Sequence, residues 1–291
     1  MDKCSIVIPV YKKKSLEMEV LSLKQCVKVL GRYPIIFVCP ASLPVDYYQS
    51  FAQQNHCNIS FERFPDWYFT ATSNYSKLLL TKDFYKRFAD YEFILIYQLD
   101  AWVFEDKLEY WCEQDYDYIG APWFEGFDLA TKDSPMLPIA GNGGFSLRKV
   151  SAILKVLNTF YREPKSLRRI IAEGADNGVI AKSFNFPLSL FKFIFHKERF
   201  RPLWATTLLS EDRAIARHAQ KACKDFKLAP PDVARRFSFE AQPRRLYEMN
   251  GKKLPFGCHA FEKHDFEFWK EFIMKEGGER ARHIRYCASI Q

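Results

Sequence analysis

The run at residues 91–97 (YEFILIY) constrains the fold most, because a segment apolar but for Glu92 and followed by Gln98-Leu99-Asp100 reads as a strand buried on both faces. Before it, short apolar runs alternate with helical patterns. Residues 4–10 (CSIVIPV) predict a strand, 15–31 a helix closed by glycine, 35–38 a second strand and 44–54 a second helix. A third strand is expected within 58–64, and a helix over 73–88 with Ser73 as N-cap. Strands separated by helices of this length imply a parallel sheet covered on both sides. Downstream the spacing predicts a short strand at 103–104, a helical turn at 107–112 and a strand at 116–120. A polar loop over 124–138, a strand at 145–148 and helices at 149–160, 210–224 and 266–275 follow. No repeat or linker interrupts the 291 residues, so one domain is expected.

Composition narrows the function classes only a little. Lys and Arg outnumber Asp and Glu by 43 to 35, which favours anionic partners without choosing among them. A basic stripe with stacking residues at regular spacing is missing, so nucleic acid is not an expected partner. The eight cysteines form no C-x-x-C pair and several sit in apolar runs, which fits buried, reduced thiols. Residues 1–4 pass directly into a strand, leaving no room for a signal peptide, and no apolar run nears the roughly 20 residues of a membrane span. A cytoplasmic protein is expected. Residues 184–204, rich in Phe and Leu and then basic, read either as core or as a peripheral contact with the inner face of the membrane.

Several residues could carry chemistry. Asp100 emerges at the carboxyl end of a strand, where ligands gather in such sheets; it would either cap the next turn or meet a diphosphate through Mn or Mg. His259, in the tight loop Phe256-Gly257-Cys258-His259, is either a hydrogen-bonded core histidine or a metal ligand. The run Gly141-Asn142-Gly143-Gly144 lets the backbone approach a ligand closely, although turn chemistry alone would explain it equally well. Glu211 and Asp212 follow Ser210 at a helix start; they would serve the helix dipole or supply a carboxylate base.

Taken together, residues 5–11 (SIVIPVY), 91–104 (YEFILIYQLDAWVF), 118–123 (YIGAPW), 141–148 (GNGGFSLR) and 254–263 (LPFGCHAFEK) resemble a bacterial family of GT-A-type glycosyltransferases catalogued as a domain of unknown function, similar to family 2-like inverting enzymes. The motifs span nearly the whole chain in family order. The resemblance implies an α/β fold of the GT-A, Rossmann-like, nucleotide-diphospho-sugar transferase type, a mixed but mostly parallel sheet flanked by helices. It implies a nucleotide-binding half at 1–104 and an acceptor half with a C-terminal helix at 105–291.

The same resemblance implies roles for single residues. Pro9, Val10 and Tyr11 at the first strand's end, with Gln98, Asp100, Asn74 and Lys77, would bind the nucleotide-sugar donor. Trp123, Asn142, Gly143 and Gly144 would shape the sugar and acceptor pocket, Asp100 and His259 would hold a divalent metal, and Asp212, with Glu211 second, would be the general base. The family's Asp-x-Asp triplet appears here as Gln98-Leu99-Asp100, with the last acid alone. Transfer to a glycan or lipid-linked acceptor in surface-polysaccharide assembly is the implied reaction. A catalytically silent module that binds glycan or nucleotide is the alternative.

Overall fold

A computed structural model describes residues 3–161, 201–202 and 210–276. The first half runs β1 (Cys4–Pro9), α1 (Glu17–Leu30), β2 (Ile35–Pro40), α2 (Asp46–Gln54), β3 (Ile59–Phe64), α3 (Thr72–Leu78), α4 (Lys82–Lys86), β4 (Phe93–Tyr97) and β5 (Trp102–Val103). Then come α5 (Leu108–Glu113), β6 (Tyr118–Gly120), β7 (Pro122–Phe124), β8 (Met136–Ala140), β9 (Phe145–Lys149), α6 (Val150–Asn158), β10 (Phe160–Tyr161) and β11 (Arg201–Pro202). The described chain closes with α7 (Glu211–Ala222), α8 (Pro231–Phe237), β12 (Ser238–Phe239), α9 (Pro243–Met249), β13 (Gly257–Cys258) and α10 (Phe266–Glu276).

The main sheet has the order β3-β2-β1-β4-β9-β6. Its first four strands are parallel, whereas β9 runs antiparallel to both β4 and β6. Side chains alternate across the pleat, so Ile6, Ile8, Phe37, Leu95 and Tyr97 pack on one face with α1 and α2. Val7, Ile36, Val38, Ile94 and Ile96 pack on the other with residues of α3, α4, α6 and α7. Burial on both faces is why these strands read as unbroken apolar runs. A second, small sheet, β12-β13-β5, packs with Trp102, Phe239, Phe261 and Trp269 in a core cluster of its own. It draws β5 from just after the central strand together with two late strands, which carries residue 259 back to the end of β4.

The expected mixed, mostly parallel α/β architecture is the one observed. Three local expectations need correction. The helix expected over 73–88 is two short helices, because Thr81 donates to the Leu78 carbonyl (2.7 Å) and accepts from Phe84 N (3.2 Å), ending one helix and capping the next. The first of them is preceded by Ala71, not capped by Ser73. The loop expected over 124–138 is shorter, since β7 and β8 pair with each other. The seven described cysteines form no disulfide; Cys287, the basic residues 279–285 and all but 201–202 of the run 184–204 lie outside the described residues.

Candidate active site

Two adjacent parallel strands, β1 and β4, end at the same edge of the sheet, and a cleft of about 350 Å³ opens there. Pro9, Val10 and Tyr11 form one wall, Gln98, Leu99 and Asp100 another, and Phe69, Thr70, Ala71, Thr72 and Tyr75 close the side. A cleft outside the carboxyl ends of parallel strands is the ordinary ligand site of such sheets. Asn74 and Lys77 are not among its lining residues: Asn74 donates to Thr70 Oγ1 (2.9 Å), and the Lys77 ammonium sits 5.0 Å over the Trp67 ring.

Below Asp100 the late loop delivers His259, whose backbone N–H is fixed on the Phe239 carbonyl (2.9 Å). Its Nδ1 is 2.9 Å from Glu240 Oε1, and its Nε2 is 3.1 Å from Gln98 Oε1 and 3.3 Å from Asp100 Oδ1. Asn142 donates to the same Glu240 oxygen (2.6 Å) and accepts from Gly144 N (3.0 Å). The Glu240 and Asp100 carboxylates at the two ring nitrogens favour an imidazole that carries both protons. Burial works against the charge, but the Asp100 and Glu240 carboxylates overcome it and the imidazole is pushed up to about 10. Burial likewise tends to raise Asp100, yet the His259 charge holds that carboxyl below its ordinary value.

Close packing explains the glycines. A Cβ on Gly144 would sit 1.9 Å from His259 Nε2, and one on Gly143 would sit 2.5 Å from Glu211 Oε1. The backbone here is the partition between two groups of charged residues.

On the far side of that partition α7 begins. Ser210 precedes it, but its side chain makes no capping bond. Instead the Asp212 carboxylate accepts from Gly143 N (3.1 Å) and Arg213 N (2.7 Å). Glu211 is buried with both oxygens engaged, Oε1 by Arg148 (3.1 Å) and Oε2 by Ser76 (2.8 Å). Burial, and then Asp212 beside it, push the Glu211 carboxyl above its ordinary value, while Arg148 opposes them. Arg148, fully buried, also donates to Tyr85, Ser146 and the Gly143 carbonyl, so four of its five N–H groups are engaged. Trp123 in β7 is buried with its ring 5.8 Å from that of Phe127.

The structure thus joins Gln98, Asp100, Asn142, Gly143, Gly144, Glu211, Asp212 and His259 in one connected cluster, of which Gln98 and Asp100 line the cleft. Glu240, Arg148 and Ser76 belong to it as well, and sequence reasoning missed all three. Arg148 had a visible signal: Ser146 and Arg148 alternate with Phe145 and Leu147 in a strand buried on both faces. Glu240, a lone acid after Phe239, offered none.

Asp100 and His259 stand side by side as candidate ligands for a divalent cation, and among the described residues no group of three or more acids, His or Cys completes a cluster around them. Adjacent ligands of a six-coordinate Mg lie about 3 Å apart for bonds of about 2.1 Å, near the 3.3 Å between Asp100 Oδ1 and His259 Nε2. Glu240 on Nδ1 would then orient the ring, leaving the Nε2 lone pair for the cation once its proton departs.

Fold and site together define a mixed α/β protein with a charged ligand cleft at the carboxyl ends of its parallel strands. The chain belongs to the family described as "Protein of unknown function (DUF5672)", whose model matches residues 58–259. No curated protein sequence matches it significantly. Among solved structures it is similar to the glycosyltransferase GlyE of Streptococcus pneumoniae TIGR4, at 11% identity over 99% of this chain and 64% of that one, with a TM-score of 0.48. It is also similar to the mannosyltransferase Ktr4p of S. cerevisiae in complex with GDP, at 13% identity over 42% of this chain and 41% of that one, TM-score 0.34. A glycosyltransferase involved in glycosylation of the major capsid of PBCV-1 aligns at 8% identity over 88% and 92%, TM-score 0.37. The chain therefore spans about two fifths of the Ktr4p chain and just under two thirds of GlyE.

Proposed function

We propose that the protein is a GT-A-type glycosyltransferase that moves a sugar from a nucleotide-sugar donor to an acceptor hydroxyl. One observation carries the reading: Asp100 and Asp212 stand on opposite sides of the Gly143-Gly144 backbone, one at the cleft between β1 and β4, the other at the start of α7. A diphosphate entering the cleft would meet Pro9, Val10, Tyr11, Gln98 and Asp100, with the sugar directed to the glycines. Asp212, its lone pairs oriented by two backbone N–H groups, accepts the proton of the acceptor hydroxyl. The acceptor oxygen bonds to the anomeric carbon as the carbon–oxygen bond to the diphosphate breaks, and the electron pair leaves with the diphosphate. Attack opposite the leaving group inverts the anomeric centre. Glu211 anchors α7 to Arg148 and Ser76 in this scheme, which leaves Asp212 as the base.

Asp100 and His259 would hold a Mn or Mg ion, oriented by Glu240, and that ion when bound would offset charge on the diphosphate. The described residues contain no cluster of three acidic, His or Cys ligands, so phosphate and water would fill the other positions. Gln98 standing where an acid would strengthen the site favours one second reading, a silent module that binds the donor without cleaving it.

The acceptor class proposed is a glycan or lipid-linked glycan of bacterial surface polysaccharide, handled at the inner face of the cytoplasmic membrane; no helix among the described residues is long and apolar enough to cross a membrane. A thermal-shift panel of nucleotide-sugars, with and without Mn, tests the donor site. A donor at 100 times its Kd stabilises the fold by about 2.7 kcal/mol, and Asp100→Asn should remove the Mn-dependent part. A panel in which no donor shifts the melting point would overturn the reading.

A further inference from the structure

The acceptor side of the cluster holds a cation that the scheme above does not use. Arg213 follows Asp212 directly, and its guanidinium carbon lies 3.7 Å over the centre of the Phe127 ring. Phe127 is itself fixed from two directions. Its ring meets that of Trp123 edge-on at 5.8 Å, and its backbone takes a φ of 50° after Gly126 at 86°, a left-handed conformation that a bulky residue adopts at a cost of about 1–3 kcal/mol. Trp123, Phe127 and Arg213 so form one stacked group, joined to Asp212 through the chain at Arg213.

Among the described residues no carboxylate lies within ion-pair distance of that guanidinium. Asp128, the acid next to Phe127, pairs with Lys263 (2.9 Å) and His264 (3.6 Å) and feels the Arg213 charge from beyond ion-pair distance. Asp212 turns its oxygens to backbone N–H groups. With its carbon 3.7 Å from the ring centre the guanidinium has one face covered, and its side-chain N–H groups make no hydrogen bond among the described residues; paired N–H donors of this kind match a carboxylate or phosphate. A neutral sugar hydroxyl needs no such charge beside the base.

Resting on the glycosyltransferase reading, we propose that the acceptor carries an anionic group, a carboxylate or a phosphate, beside the hydroxyl that reacts, and that Arg213 is the residue that selects it. Phe127 is the shelf that holds the guanidinium for the acceptor.

The test uses the full chain loaded with magnesium and the nucleoside diphosphate that the thermal-shift panel selects. Methyl glycosides of glucose, galactose and mannose are titrated beside their 6-carboxylate and 6-phosphate counterparts, with binding followed by saturation-transfer NMR. At least one charged member should bind tenfold or more tightly than its neutral parent, and comparison of the two charged series tells carboxylate from phosphate. Arg213→Gln should erase that preference, Arg213→Glu should reverse it, and Phe127→Leu should weaken it by a smaller factor. Equal binding within every pair, silence of the whole panel on nucleotide-loaded protein, or a preference that survives Arg213→Gln would overturn the proposal and leave the donor site standing. Failure of every nucleotide to bind would instead bring down the glycosyltransferase reading, and this inference with it.

Discussion

Replacing Gly144 by alanine perturbs the cluster at the point where backbone and imidazole touch. The added Cβ would lie 1.9 Å from His259 Nε2, 2.3 Å from Cδ2 and 2.4 Å from Cε1, whereas ordinary contacts begin near 3.4 Å. The ring must therefore retreat by about 1.5 Å, the difference between those two distances. Its backbone cannot follow, being pinned to Phe239 in the small sheet. Rotation about the side-chain bonds would break the contacts to Gln98 and Asp100 and strain the one to Glu240. Charge-assisted hydrogen bonds contribute about 1.5–3 kcal/mol each, and a buried ion deprived of its partner costs about 3–5 kcal/mol. We expect Gly144→Ala to lose about 3–5 kcal/mol in urea denaturation, and the His259 ring to titrate near the ordinary histidine value in NMR instead of holding its proton to about pH 10. A variant within about 0.5 kcal/mol of the parent, with the His259 titration unchanged, would refute the claim that the ring packs on residue 144.

Other outcomes follow from the same geometry. The His259 proton is bound more tightly in the folded state, so its contribution is complete below about pH 6.5, the unfolded value, and is lost as pH rises through about 10, with a ceiling of about 5 kcal/mol. Urea midpoints taken from pH 6 to 10.5 should fall in the parent protein, and the fall should be largely absent in His259→Gln. Arg148→Met leaves Glu211 buried without its cation, so a loss of about 3–5 kcal/mol is expected; adding Glu211→Leu should recover more than half of it, and strictly additive losses in the double variant would contradict the pairing. Because a cation at Asp100 must displace the His259 proton, Mn affinity measured by calorimetry should rise with pH between 7 and 9 and become flat in His259→Gln.

How much of this was legible beforehand depends on range along the chain. The main sheet was readable because β1, β2 and β4 are buried on both faces and must be continuously apolar. The break at Thr81 was not, since it rests on one hydroxyl choosing the Leu78 carbonyl and the Phe84 N–H over solvent. Asp100, the Gly143-Gly144 pair, Asp212 and His259 were each visible as residue types in suggestive places. Nothing local showed that they meet, because their association is made by β9 lying against β4 and by the return of β13 to β5. Glu240 illustrates the limit: its role as the acceptor for both His259 and Asn142 exists only in three dimensions.

The claim on which the rest depends is that Asp212 is the base for sugar transfer from a donor lodged at Asp100. Nucleotide release from the selected nucleotide-sugar with water as the acceptor hydroxyl, measured in parallel with donor Kd for the parent and Asp212→Asn, tests it most directly. We expect release to fall by about 100-fold or more while donor Kd stays within about twofold, since the substitution is nearly isosteric and lies outside the donor cleft. Equal release by both proteins, or tight donor binding with no release by either, would contradict it.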